Sequence, residues 1–147
     1  MLVGDGPQRG ELESFAREDG VSDRVEFLGE VPNEQIPAVV GEADVFALPS
    51  LAEGMPRTVL EALACETPVV TTDLKQLRPL VEDVGRLVPS ESPGKLADAL
   101  EDLLAMDAEQ RARMGTRGRE KILETYSWRD TVRQTTNVYR ELLDGAD

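Results

Sequence analysis

The chain has 147 residues, a formal net charge of −13, no histidine and one cysteine, Cys65. That length suits a single domain spanning residues 1–147 with a substantial core, and so acidic a balance argues against a nucleic-acid groove built on phosphate contacts. Without histidine there is no Ser-His-Asp triad and no histidine-bearing zinc site, and a lone cysteine excludes an intrachain disulfide.

In chain order, Met1-Leu2-Val3 closing at Gly4 reads as a strand, followed by a helix from about Gln8 to Glu18. A strand over Val25 to Leu28 and a short helix from about Asn33 to Gly41 come next. The apolar run Ala43 to Ser50, closed by Pro49, reads as a short buried strand. Pro56 suits the first position of a helix, where its missing N–H costs nothing, and Thr58 to Cys65 continues that helix with Val59, Leu60 and Leu63 on its apolar side. Pro68-Val69-Val70-Thr71 is a further strand, and Gly85 to Pro89 a short edge strand in the less regular stretch from Leu74 to Ser92. Alternation of this kind implies an α/β fold with a parallel sheet. The loops that follow its strands, Gly4-Asp5-Gly6-Pro7, the Gly29 loop and the Glu53 loop, are then expected on one rim, where ligands bind in open α/β sheets.

The C-terminal third is helical. Leu96, Leu100, Leu103 and Leu104 recur at helical spacing and read as core. The helix from about Ala108 to Glu124 carries Arg111, Arg113, Arg117, Arg119 and Lys121 among acids, which predicts a solvated face with local ion pairs. Ser127 suits the N-cap of a last helix whose apolar side holds Trp128, Val132 and Tyr139. Cys65, with no histidine to act as its base, reads as a small core residue and not a nucleophile. No apolar run reaches membrane length and no secretory signal is present, so the expected location is the cytoplasm. Lys75, Lys95 and Lys121 are the only lysines, against many arginines and carboxylates, which points to a high-salt, halophile-like cytoplasm.

Glu53-Gly54-Met55-Pro56-Arg57-Thr58-Val59-Leu60-Glu61 is the candidate ligand site. With a helix starting near Pro56, Glu61 lies roughly 7–8 Å along its axis, so the two carboxylates face different parts of one elongated ligand. Between them lie the free N–H groups of a helix start, with Gly54 permitting close approach, and such an end favours a phosphate or diphosphate. Carboxylates beside a phosphate site make sense as acceptors for sugar or ribose hydroxyls, and Arg57 can supply local positive charge.

Leu48-Pro49-Ser50, the run from Glu53 to Ala64, and Thr67-Pro68-Val69-Val70-Thr71-Thr72-Asp73 closely resemble the family 4 (group 1) glycosyltransferases. Met1 to Pro7, Arg24 to Pro32 and Tyr126-Ser127-Trp128 resemble further blocks of that family in the same order, so the resemblance spans essentially the whole chain. It implies a Rossmann-like parallel sheet flanked by helices, the C-terminal, donor-binding half of the two-domain GT-B fold, with extra C-terminal helices. The implied activity is retaining transfer of a sugar from a nucleotide diphosphate sugar to an acceptor hydroxyl, with no metal cofactor. By position, Glu53 is the candidate catalytic residue beside the donor sugar hydroxyls. The amides of Gly54, Met55, Pro56, Arg57 and Thr58 mark the diphosphate and sugar segment, proline adding backbone but no N–H. Glu61 falls to the ribose, and Gly4, Asp5, Gly6, Gly29 and Val31 are candidate nucleotide-loop residues.

The sequence also departs from the family pattern. Relatives begin this domain with one more strand and helix, bearing an arginine and a lysine for the diphosphate. The chain is therefore expected to be a poor catalyst alone: a fragment, a truncated gene product, or half of a split enzyme whose partner is an N-terminal acceptor-domain protein. Proximity of two facing domains is a large part of such catalysis. The alternative is a non-catalytic nucleotide-sugar-binding or interaction module. Leu74-Lys75-Gln76 stands where relatives carry glycines, and the Glu82 to Arg86 loop is short. Glu66 stands at a helix end where relatives carry glycine, at a cost of about 1 kcal/mol if the backbone there is left-handed.

Overall fold

The computed structural model describes residues 1–144. They form two compact units, residues 1–36 and the remainder from Pro37. In the first unit, β1 (Leu2–Val3) pairs in parallel with β2 (Phe27–Gly29), and α1 (Arg9–Glu18) and a 3-10 turn (Ser22–Arg24) connect them. The second strand is shorter than expected and displaced towards Gly29, because Ser22 to Arg24 close a turn that the apolar pattern did not signal. Gly20, at φ 68°, ends α1: Gly20 N–H donates to Arg17 and Val21 N–H to Ala16, the paired bonds of a left-handed helix stop.

The second unit holds α2 (Ile36–Gly41, its first residue at the division), β3 (Phe46–Leu48), α3 (Arg57–Ala64), β4 (Val69–Thr72), α4 (Arg78–Val81) and β5 (Gly85–Val88). Three long helices follow: α5 (Pro93–Ala105), α6 (Ala108–Thr125) and α7 (Trp128–Asp144). Its sheet is parallel in the order β3-β4-β5, with Phe46 opposite Val69 and Val69 opposite Gly85. β4 is central and every residue of it is buried, as β-branched strands covered on both faces are. On one face Val70 and Val88 pack with Ala99 and Leu103 of α5. The alternate residue Val69 meets Val81 at the end of α4 over Gly85, where a Cβ would stand 2.4 Å from the Val69 carbonyl.

β3 is half-buried, not buried as its apolar run suggests, because among the described residues it lies at the sheet edge and pairs with β4 alone. β5 is the expected short edge strand. Leu103 is fully buried and Leu96 and Leu100 pack against the core, but Leu104 is 52% exposed and leaves the predicted stripe.

The charged helix α6 does more than float on local ion pairs. Only Arg113, paired with Glu109, behaves as the spacing predicts. Arg111 donates to the Leu104 and Met106 carbonyls and to Asp44, Arg117 donates to the Asp83 carbonyl, and Lys121 lies 3.9 Å from the Asp83 carboxylate. Gly115 and Gly118 let α6 sit directly on α3: a Cβ on Gly118 would stand 2.9 Å from Leu63, and one on Gly115 only 1.9 Å from the Glu66 carbonyl. Ser127 caps α7 as expected, accepting from Asp130 N–H at 3.2 Å. The apolar side of α7 is solvent-facing, with Trp128 81% exposed. Among the described residues, no helix is long and apolar enough to cross a membrane.

Glu66 adopts φ 63° and stands in the left-handed position that ends α3, with Glu66 N–H donating to Leu63 and Thr67 N–H to Ala62. Its carboxylate accepts from Thr116 at 3.1 Å and lies 3.8 Å from Arg119, exposed contacts that recover little of the backbone cost. Glu66→Gly is expected to raise stability by about 1 kcal/mol in urea unfolding, since glycine alone enters this region freely. Gly115→Ala, which drives a methyl group into the Glu66 carbonyl, is expected to lower it by about 3 kcal/mol in the same measurement.

Candidate functional site

The chain leaves β3 at Leu48, runs without regular structure past Glu53, and enters α3 at Arg57. Pro56 is buried and stands one residue before the helix, at φ −70° and ψ 112°, and not in its first turn. The extended ψ brings the Pro56 carbonyl to Val59 N–H, which donates to it at 3.2 Å. Glu61 is consequently four positions into α3, about 6 Å along its axis. Among the described residues no side chain caps the start of α3 and its first turn holds no acid, so the N–H groups of Arg57 and Thr58 have no partner there and can meet an anion.

Glu61, Arg57 and Met55 are exposed and line one groove of about 720 Å³ with half-buried Leu60. Its opposite wall comes from the end of α6 and the first turns of α7, including Tyr126, Trp128, Thr131 and Gln134. The volume lies in the range of small-ligand pockets. Leu60 thus faces the groove and not the core as its apolar pattern suggests. Glu53, Gly54, Pro56 and Thr58 are not part of that lining. Glu53 is half-buried in the loop, and nothing lies within 4 Å of where a Cβ would stand on Gly54, so its backbone is open to a ligand.

The loop after β4 reaches this segment. Gln76 donates from Nε2 to the Glu53 carbonyl, a contact absent from any sequence pattern because it joins residues 23 positions apart. Asp73 and Arg78 brace the same loop through two hydrogen bonds of 2.6 and 2.9 Å, and the Arg78 guanidinium holds the Asp73 carboxyl below its ordinary range. Thr71, fully buried on β4, has no partner for its hydroxyl among the described residues. The short loop at Glu82 to Arg86 is engaged with α6 through Asp83. Cys65 is half-buried, and burial raises its thiol pKa, which disfavours the nucleophilic thiolate.

In the first unit, Gly4 and Gly29 sit at φ 118° and 66°, conformations that favour glycine, and Gly4 N–H donates to the Gly29 carbonyl at 2.7 Å. Gly6 N–H donates to the Asp5 carboxylate, and Val31 is half-buried in the coil beyond β2. Arg9, not singled out from the sequence, is the hub here. It donates to Asp5 at 3.3 Å, to Glu13 at 3.0 Å and to the Phe27 carbonyl at 3.3 Å. A Cβ on Gly29 would stand 3.0 Å from the Arg9 guanidinium. The signal was available in the spacing of Asp5, Arg9 and Glu13, each four residues from the next. Among the described residues, no three acidic or cysteine side chains gather as a metal site.

Comparison with known proteins bears on this geometry. The profile of the family described as "Glycosyl transferases group 1" matches residues 1–121. A 2-deoxystreptamine glucosyltransferase of Streptomyces kanamyceticus is 35% identical over 86% of the chain and 33% of its own length. A D-inositol 3-phosphate glycosyltransferase of Corynebacterium urealyticum is 38% identical over 89% and 31%. The chain thus spans about a third of the length of these curated relatives. Among solved structures, a sucrose-phosphate synthase from Thermosynechococcus elongatus superposes with a TM-score of 0.87 at 30% identity, over 99% of this chain and 38% of that one. The Anabaena protein HepE, in complex with UDP-glucose, superposes with a TM-score of 0.85 at 26% identity, over 95% and 40%. The fold is a single Rossmann-like half of the GT-B architecture, and the chain belongs to the group 1 glycosyltransferases.

Proposed function

We propose that this chain is the donor-binding domain of a glycosyltransferase, holding a nucleotide diphosphate sugar for transfer to an acceptor hydroxyl with retention at the anomeric carbon. The observation that carries the reading is the shared position of Arg57 and Glu61 on one ligand-sized groove beside an uncapped helix start. Glu61 accepts from the ribose hydroxyls, as an ionised carboxylate can only accept. The free amides at the start of α3, with Arg57, take the negative charge of the diphosphate and stabilise it as it departs. Glu53 serves the sugar hydroxyls; in the first unit, Gly4, Asp5, Gly6, Gly29 and Val31 are proposed as nucleotide-loop residues on the family resemblance alone. The diphosphate is assigned to these groups and not to a metal ion.

The domain acts with a separate N-terminal acceptor domain. Relatives of about three times this length support that reading, and so does the physical need for a second wall that excludes water and aligns the acceptor. Titration calorimetry with UDP, GDP and their glucose and mannose conjugates tests the donor site. Glu61→Ala, at an exposed helical position, is expected to leave stability unchanged and to weaken nucleotide binding about tenfold, a charge-assisted hydrogen bond's worth. Absence of heat from wild type with every nucleotide at millimolar concentration would refute the assignment. Radiolabelled sugar transfer is expected to be undetectable with this chain alone and to appear when an acceptor domain is supplied in trans or by fusion. Turnover by the chain alone would refute the need for a partner.

A further inference from the structure

The stretch from Pro49 to Met55 carries Glu53 and Gly54 yet has no regular structure, and among the described residues its one tertiary hydrogen bond is the one that Gln76 donates to the Glu53 carbonyl. Gln76 is well placed to hold it. Leu77 beside it is fully buried, Leu77 N–H donates to Leu74 at 2.8 Å, and Asp73 N–H donates to Val88 at 2.7 Å, so the loop after β4 is itself fastened to the core. The consequence lies in the next peptide group. A trans peptide points its C=O and N–H in opposite directions, so a Glu53 carbonyl drawn towards Gln76 turns the Gly54 N–H away from it. That N–H has no acceptor among the described residues, and the space around Gly54 is open. A glycine at this point would otherwise let the peptide plane rotate readily.

We propose that Gln76 is a positioning residue for the donor: it latches the Glu53–Gly54 peptide so that the Gly54 amide stands ready for the diphosphate or sugar of the nucleotide sugar. This rests on the donor reading above. Glycines in the loop after β4 could not make such a bond, so the latch belongs to the Leu74-Lys75-Gln76 form of that loop.

The test uses the full chain and Gln76→Met, which keeps the length of the side chain, removes the donor and adds no charge. Two ligands, UMP and UDP-glucose, are titrated, with the guanosine pair in parallel, and the Gly54 amide is followed by 15N relaxation dispersion without ligand. The expected result is unchanged UMP affinity, about a tenfold loss for UDP-glucose, and new microsecond-to-millisecond exchange at Gly54 in the variant. Equal losses for both ligands would mark a merely structural role and overturn the proposal, as would unchanged affinity for both or a Gly54 amide as quiet as in wild type. Failure of wild type to bind any of these nucleotides sinks the donor reading and the ligand side of the latch together. The dispersion measurement then reports separately on whether Gln76 restrains the peptide.

Discussion

Burial of β4 on both faces is the constraint on which the second unit depends. β4 pairs with β3 through Val69 to Thr71 and with β5 through all four residues, and helices cover it above and below. Such a strand tolerates only small, branched, well-packed side chains, and Val69-Val70-Thr71-Thr72 supplies them. Because the pairing is parallel, both β3 and β4 must release their chains at the same end of the sheet. The loops holding Glu53 and Gln76 are neighbours for that reason, and no local preference of either loop has to bring them together.

α3 is packed on this frame along its length and capped only at its far end. Val59, Ala62 and Leu63 are fully buried, the last carbonyls are taken by the left-handed stop at Glu66, and Arg119 of α6 donates to the Ala64 carbonyl, adding a cation where the helix dipole is negative. The two glycines of α6 make that approach possible. The beginning of the helix is packed through Pro56 and Val59 but receives no such cap, and its amides keep their capacity for a ligand.

Much of this was legible in the amino-acid sequence. Alternating elements and the proline-marked strand ends announced an α/β fold, the Glu53 to Glu61 run marked the segment proposed to bind the donor, and Glu66, standing where the family resemblance expects glycine, has the left-handed backbone considered for it, at φ 63°. What escaped were contacts between residues distant in the chain. Hydrophobic pattern cannot tell a central strand from an edge strand, so β3 read as buried. Charge pattern cannot tell a solvated arginine from one that reaches another element, so Arg111, Arg117 and Arg119 read as surface decoration. Gln76 read as a defect because only folding reveals that its amide meets the Glu53 carbonyl.

The left-handed stop at Glu66 has a further consequence for a ligand. A helix of eight residues closed at one end and open at the other is not held alike at both. Its last turn is fastened from outside by α6, whereas its first turn is held by buried Val59 while Arg57 and Thr58, exposed and uncapped, are left at the rim. A ligand bound there would add to the helix start the hydrogen bonds that the fold supplies only at its other end, without having to order Val59, which the core already holds.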